Sequence, residues 1–492
     1  MDWFPPPSCG VYNQRDPVLP TISAPHTRIA MAPVESRSFF SRHVCTSMAA
    51  LLVVAGTTLA DDNWPQFRGS QSMGVADGEC LPVNWSTTEN VKWKVEIPGR
   101  GWSSPVVWGD KIFVTTATRD YQEGKGPEEI KKGLYFGGNR DTPTEPHKWV
   151  VYCLSLETGD VLWESVADEG VPKHGHHLKN TLASETPVTD GEHVYAYFGN
   201  VGIFCYDMEG ELVWSQEFES RATRYNWGTA ASPVLYEDRL IIVNDNDEES
   251  FIVTLDKKTG KEIWRKPRDE KSNWATPYVW KNVDRTEIVV PATGKVISYS
   301  MDGEPLWEFT GMSSITIAMP FSHEGMLYIS SGYVLDQTRP IYAIQPGAAG
   351  DITLPEGETS NGYIAWSQPK GAPYNPTPVL YNDVYYVLYD RGIFGAYDAK
   401  TGEQLFRKRV GAGARGFTAS PWAYDGKIFC LSEDGDTYVF EAGREFNLLH
   451  KNSLEEFSMA TPAIVGESLI LRTETQLYRI EQGCPPESGD AE

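Results

Sequence analysis

From about residue 90 the chain is filled with short apolar runs, broken regularly by Gly, Asn, Asp and Pro, the pattern of strands joined by tight turns. One unit is clear between residues 377 and 406. Thr377-Pro378-Val379-Leu380 opens a first strand, Asn382-Asp383 turns, and Val384 to Leu388 forms a second. Gly395-Ala396-Tyr397-Asp398 makes a third, Thr401-Gly402 turns again, and Glu403-Gln404-Leu405-Phe406 makes a fourth. The Gly of that last turn supplies the positive φ a tight hairpin demands. The same phrase returns as LSLETGDVLW (154–163), YDMEGELVW (206–214), LDKKTGKEIW (255–264) and YSMDGEPLW (299–307). Trp163, Trp214, Trp264, Trp307, Trp366 and Phe406 share its final position. A large aromatic fixed there predicts packing into the next unit.

The first strand of each unit is announced by a proline. Ser104-Pro105, Thr186-Pro187, Ser232-Pro233, Thr276-Pro277, Met319-Pro320, Thr377-Pro378, Ser420-Pro421 and Thr461-Pro462 follow one another at gaps of 82, 46, 44, 43, 58, 43 and 41 residues. A period near 43 built of four short strands predicts an all-β chain, a single eight-bladed β-propeller of four-stranded antiparallel blades. The last unit lacks an outer strand, and Asn90-Val91-Lys92-Trp93-Lys94-Val95 matches one. The N-terminal strand is therefore expected to complete blade 8 as a Velcro closure that leaves no open seam in the ring. The two swollen gaps place one insertion at 118–147, between the second and third strands of blade 1, and another at 346–361, between the third and fourth strands of blade 5. Antiparallel connectivity puts these on opposite faces. The expected organisation is an extension with a leader over 1–60, a lead-in over 61–89, the propeller over 90–482 and an acidic tail over 483–492.

Charge and cysteines narrow the setting. The net charge of −24 excludes nucleic acid and anionic membrane surfaces as general partners. Arg37, Arg42 and His43 precede the apolar run 49–56 and then Thr58-Leu59-Ala60, the layout of a secretory signal peptide with a start at Met31 and cleavage after Ala60. The run is too short to stay as a transmembrane anchor, so the mature ring is expected in the periplasm or outside the cell, as a monomer. Five cysteines follow the leader. Cys153, Cys205 and Cys430 sit inside strand patterns and are expected as core residues, whereas Cys80 and Cys484 flank the ring and are placed for a staple.

The repeated [A/Y]-x-D-x-x-T-G-x-x-x-W phrase resembles the repeat of pyrroloquinoline-quinone (PQQ) propellers. Quinoprotein alcohol dehydrogenases carry it, and so does the BamB-type propeller lipoprotein of the outer-membrane assembly machinery. The opening Asn63-Trp64-Pro65-Gln66-Phe67-Arg68-Gly69 is similar to the start of secreted PQQ-like propellers. The resemblance spans about residues 61–482 and implies the fold; the family holds both enzymes and scaffolds. This chain lacks the adjacent Cys-Cys of the dehydrogenases, any Cys-x-x-Cys-His haem motif, and a Cys after its leader for lipid attachment.

Loops that lead into the inner strands ring one mouth of the channel. They carry Arg100, Trp102, Glu185, Asn226, Trp227, Asn273, Trp274, Tyr374, Asn375 and Arg415, and second-to-third loops on the same face add Arg391 and Asp436. Aromatics with converging polar groups around a concave rim describe a ligand site. By the resemblance, Trp102 or Trp274 would floor a PQQ ring, and Glu185, Asn375 and Asp436 would hold Ca2+. His174, His176 and His177 lie in the loop between blades 1 and 2, and His176 and His177 join the ligand-binding candidates of this face. Three His in four residues offer ligands for Zn2+ or Cu2+, but alternation along an extended strand sends neighbours to opposite sides, so loop packing is the expectation. No P-loop or G-x-S-x-G phrase appears. The expectation is a non-catalytic scaffold whose channel face engages a protein, peptide or glycan, the alternative being a PQQ/Ca2+-dependent oxidoreductase.

Overall fold

The computed structural model describes residues 63–78, 80–120, 130 and 140–483. The leader, most of the first insertion, Cys484 and the acidic tail lie outside the described residues. Eight sheets with four antiparallel strands each follow one another around a ring, seven of them with those four strands in chain order, and the described residues contain one short 3-10 turn, Arg224–Asn226. Blade 6 is typical, with strands Val379–Tyr381, Val384–Tyr389, Ile393–Asp398 and Gln404–Arg409. Burial falls from the axis outward: the second strand is wholly buried, while outer strands such as Leu212–Glu217 alternate exposed and half-buried positions. No described helix is long and apolar enough to cross a membrane.

Blade 8 takes its outer strand from the other end of the chain, because Val91–Glu96 pairs antiparallel with Gln476–Glu481. Its Trp93 then behaves like four other tryptophans at that position. The indole N–H of Trp93 donates to Leu156 O in blade 1 at 2.9 Å. Trp163, Trp214, Trp264 and Trp366 likewise donate to Met208, Lys257, Met301 and Ala399, each in the third turn of the next blade, at 2.9–3.0 Å. The turn glycine lies under the ring. A Cβ added to Gly260 (φ +68°) would stand 2.5 Å from Trp214, so this turn needs Gly twice, for its backbone and for its neighbour.

Three seams depart from the rule. At blades 6–7 Phe406 meets Phe446 at 5.8 Å instead. At blades 7–8 the position holds His450, whose Nε2–H donates to Val83 O of the lead-in at 2.9 Å, and Trp85 beside it stacks on Phe429. At blades 4–5 the second insertion replaces the ordinary turn. Its Gly350–Asp351 pairs parallel with Trp307–Glu308 and gives blade 4 a fifth strand. Trp307 therefore turns inward and donates to the fully buried Glu287 carboxylate at 2.6 Å.

The lead-in crosses the far mouth of the channel. Asn63–Trp64 pairs with Val107–Trp108 of blade 1, and Val75 bridges Ala423 of blade 7. Between them the buried Arg68 guanidinium donates to the carbonyls of Ser72, Met73, Thr377, Pro378 and Pro421. The ring is thus corked from one side. Cys153, Cys205 and Cys430 are buried free thiols, and Cys80 is disulfide-bonded.

Candidate functional site

What remains of the channel is a blind cup of about 230 Å3 on the face of the blade-to-blade loops. Its base is made by the residues that precede the repeat prolines. Ser104, Thr186, Ser232, Met319, Thr377 and Ser420 each donate a backbone N–H to the side-chain oxygen of Thr186, Ser232, Thr276, Thr377, Ser420 and Thr461, at 2.9–3.1 Å. Each of these bonds joins one blade to the next. The hydroxyl-bearing residue before the proline therefore has a structural cause: it belts the inner strands together around the axis. Among the described residues the belt is interrupted at two seams, where Met319 offers no hydroxyl to Thr276 and where Thr461 makes no such bond to Ser104. Phe67, brought up by the lead-in, completes the lining from below.

The walls are aromatic. Trp102, Trp227, Trp274 and Tyr374 line the cup, with Trp227 and Trp274 at 6.0 Å between centroids. The His177 ring stands edge-on to Trp227 at 5.2 Å, and Tyr225 covers the outer side of Trp227 at 5.1 Å. Tyr225 and Asn226 both take positive φ (56°), which turns the loop sharply enough to deliver Trp227 to the cup. Asn226 then stitches three loops together. Its Oδ1 accepts from Gly175 N and its Nδ2 donates to Arg140 O, both at 2.8 Å. Trp274 is fixed by its indole N–H on Gly228 O at 2.8 Å, and Asn273 holds the Trp274 N–H at 3.0 Å.

The ionisable groups around the mouth are engaged in holding it. Lys179 reaches the fully buried Glu433 at 2.5 Å, and Thr418 donates to the same carboxylate at 2.9 Å. Asp390 is buried and accepts the N–H groups of Tyr374 and Asn375, both at 2.9 Å, and burial raises its pKa to about 6. Burial likewise raises Glu185, which accepts from Gly199 N at 3.2 Å. Burial first, and the neighbouring Arg140 and Lys179 next, push His177 down to about 4, so its imidazole is neutral at pH 7. The Tyr374 phenol is raised by burial.

Of the residues singled out in the sequence, the cup gathers Trp102, His177, Trp227, Trp274, Tyr374 and Asn375. Glu185, Asn226 and Asn273 support it from behind. Arg391 and Arg415 are exposed, and Arg100 and Asp436 are engaged in ion pairs with Glu474 and Lys451 at 2.8 and 2.7 Å. His176 bonds to the His177 carbonyl, and His174 lines a separate groove between blades 1 and 2, so the three histidines serve different places. Sequence reasoning missed Lys179, Phe67 and the hydroxyl belt. The belt was legible, since seven of the eight prolines follow Ser or Thr.

A family model described as outer membrane protein assembly factor BamB matches residues 147–319 and 357–478. The chain belongs to the BamB family. Among solved structures, BamB from Moraxella catarrhalis superposes with a TM-score of 0.51 at 11% identity, covering 79% of this chain and 95% of that one. A europium-containing methanol dehydrogenase gives a TM-score of 0.53 at 11% identity, covering 84% and 88%. Both likenesses establish the shared propeller and nothing finer. No curated protein sequence matches the chain significantly.

Membership of the BamB family leaves open the quinone cofactor of the dehydrogenase branch, and the donor set decides how well it fits. PQQ carries three carboxylates and binds with Ca2+, a cation that takes six to eight oxygen ligands, charged carboxylates prominent among them. Among the described residues no carboxylate side chain lines this cup, and the ammonium of Lys179 is held by Glu433. Glu185 and Asp436 have separate partners on separate blades. These residues do not fit PQQ with Ca2+.

Proposed function

We propose that this chain is a non-catalytic binding scaffold of the BamB type, exported by its leader to the periplasm or beyond, that presents its loop face to a protein partner. One observation carries the reading. The mouth of the cup is aromatic and preformed, while Lys179, Glu433, Asp390 and Glu185 are committed to holding loops in place. Such a site offers contact area and orientation, and its buried carboxylates and its ammonium are spent on loop structure. The family match points the same way, since its description names an assembly factor.

The test is site-specific photo-crosslinking in cells that make the protein. Tyr225 is exposed on the loop face and Val283 is exposed in a first-to-second turn on the far face. A photo-reactive residue at 225 is expected to give a discrete protein adduct that Trp227→Ala diminishes, with none from 283. Equal adducts from both positions, or adducts from neither, would contradict the proposal.

A further inference from the structure

The hydroxyls at the base of the cup are half used. A hydroxyl has one donor proton and two acceptor lone pairs. Thr186, Ser232, Thr276, Thr377, Ser420 and Thr461 each accept a backbone N–H from the neighbouring blade. Among the described residues none of the six donates its own proton to a protein acceptor, and all six line the cup. The eightfold arrangement brings these O–H groups around one axis. Arg68 lies against the same ring, donating to the carbonyls of Thr377, Pro378 and Pro421, and forms no ion pair with a described carboxylate. Its positive charge is buried there. Around the Phe67 ring, the base of the cup is therefore rich in donors, backed by a guanidinium, and lined by no described carboxylate.

Such a base selects for what it lacks. A group with several acceptor oxygens and a negative charge can take O–H donors from more than one blade at once, and charge-assisted bonds of this kind are the strong ones. Above it the walls are the flat faces and edges of Trp102, Trp227, Trp274 and Tyr374, with Met459 and Ile317 between them. They suit a flat apolar body and make few polar demands on it. We propose that the cup binds a carboxylate-headed ligand with a flat, apolar body, the carboxylate seated in the crown of six hydroxyls and the body between the tryptophans. This rests on the scaffold reading, and it names the chemistry that the partner or ligand presents. Two sources carry that chemistry: a free aromatic acid, and the C-terminal residue of a protein when it is aromatic.

Calorimetric titration of the purified protein tests the head and the source separately. 2-Naphthoate is expected to bind about tenfold or more tightly than 2-naphthamide, which has the same body without the charge. Thr276→Val removes one crown hydroxyl and is expected to weaken 2-naphthoate about tenfold, with Thr276→Ser restoring it. Met319→Thr adds a hydroxyl at the Thr276–Met319 gap in the belt and is expected to tighten binding, a gain that no folding defect can mimic. Gly-Gly-Trp with a free carboxylate, compared with its C-terminal amide, supplies the second arm. Tighter binding of the free-acid peptide than of 2-naphthoate assigns the site to a chain terminus, and the reverse order assigns it to a small acid. Equal affinity for 2-naphthoate and 2-naphthamide, no binding of any probe at millimolar concentration, or indifference to both Thr276→Val and Met319→Thr would overturn the proposal. A Tyr225 crosslink that persists in the Thr276→Val protein would then leave the scaffold reading standing without the crown.

Discussion

Lys179 Nζ lies 2.5 Å from Glu433 Oε1, joining the loop that enters blade 2 to a second-to-third loop of blade 7. The two residues are 254 positions apart, and both side chains are almost wholly removed from solvent. An ion pair in that position fixes the shape of the mouth more than it adds to stability, because desolvation offsets most of its Coulomb energy. Lys179→Met strands the Glu433 charge and is expected to cost about 3–5 kcal/mol in chemical denaturation. Lys179→Met with Glu433→Leu is expected to recover most of that loss. A double variant as unstable as the single one would show that the pair carries stability in its own right.

The seams between blades make a second prediction. Gly325 has φ +82° with nothing near a prospective Cβ, whereas Gly260 has φ +68° with Trp214 at 2.5 Å. Gly325→Ala is expected to cost about 1 kcal/mol through backbone strain alone. Gly260→Ala adds the displacement of the tryptophan and is expected to cost about 1–3 kcal/mol more. Equal losses would mean that the indole is not seated in the turn as described.

Asp390 and His177 give the mouth opposite pH slopes. Burial raises Asp390 to about 6, so the folded state holds its proton where the unfolded state has released it, and this contribution is lost as pH rises from about 4 through 6. His177 is pushed down to about 4, so the unfolded state binds a proton that the folded state refuses; that contribution is present above about 6.5 and is lost as pH falls. The two partly cancel in the wild type. Thermal midpoints between pH 4 and 6.5 should climb more steeply with pH in Asp390→Asn and less steeply in His177→Gln. Unchanged slopes in both would contradict the burial of these groups.

Asn226 is expected to control the motion of the rim. Asn226→Ala removes the bonds to Gly175 and Arg140 and leaves a residue less tolerant of φ +56°. Amide exchange should quicken at 140–142 and 174–177 by about tenfold, while the belt residues keep their protection. Uniform quickening across the ring would indicate global destabilisation instead.

The blades were legible because their causes are local and repeated. The turn glycine, the aromatic after it and the hydroxyl before the proline recur in the chain because each serves the same contact in successive blades. The outer strand of blade 8 was legible for the same reason, since Trp93 carries the mark of its position. Single events were not. Phe67 and Arg68 cork the channel from a lead-in with no repeat to compare, and Gly350–Asp351 pairs parallel with neither apolar alternation nor a turn signal. Trp307 has the mark of a seam residue and yet turns to Glu287, because the insertion beside it removed the turn that it would have met. At the site, the aromatics of the rim were visible in sequence, whereas Lys179 is committed to a partner 254 positions away, and Glu185 and Asp390 to backbone N–H groups of neighbouring loops.

The most direct measurement is a calorimetric titration of the purified protein with PQQ in the presence and absence of Ca2+. A scaffold whose cup offers no carboxylate to the metal should show no Ca2+-dependent binding and no PQQ-supported dye reduction with alcohols. Micromolar, Ca2+-dependent binding that Trp102→Ala or Trp274→Ala abolishes would contradict the account and return the chain to the quinoprotein enzymes.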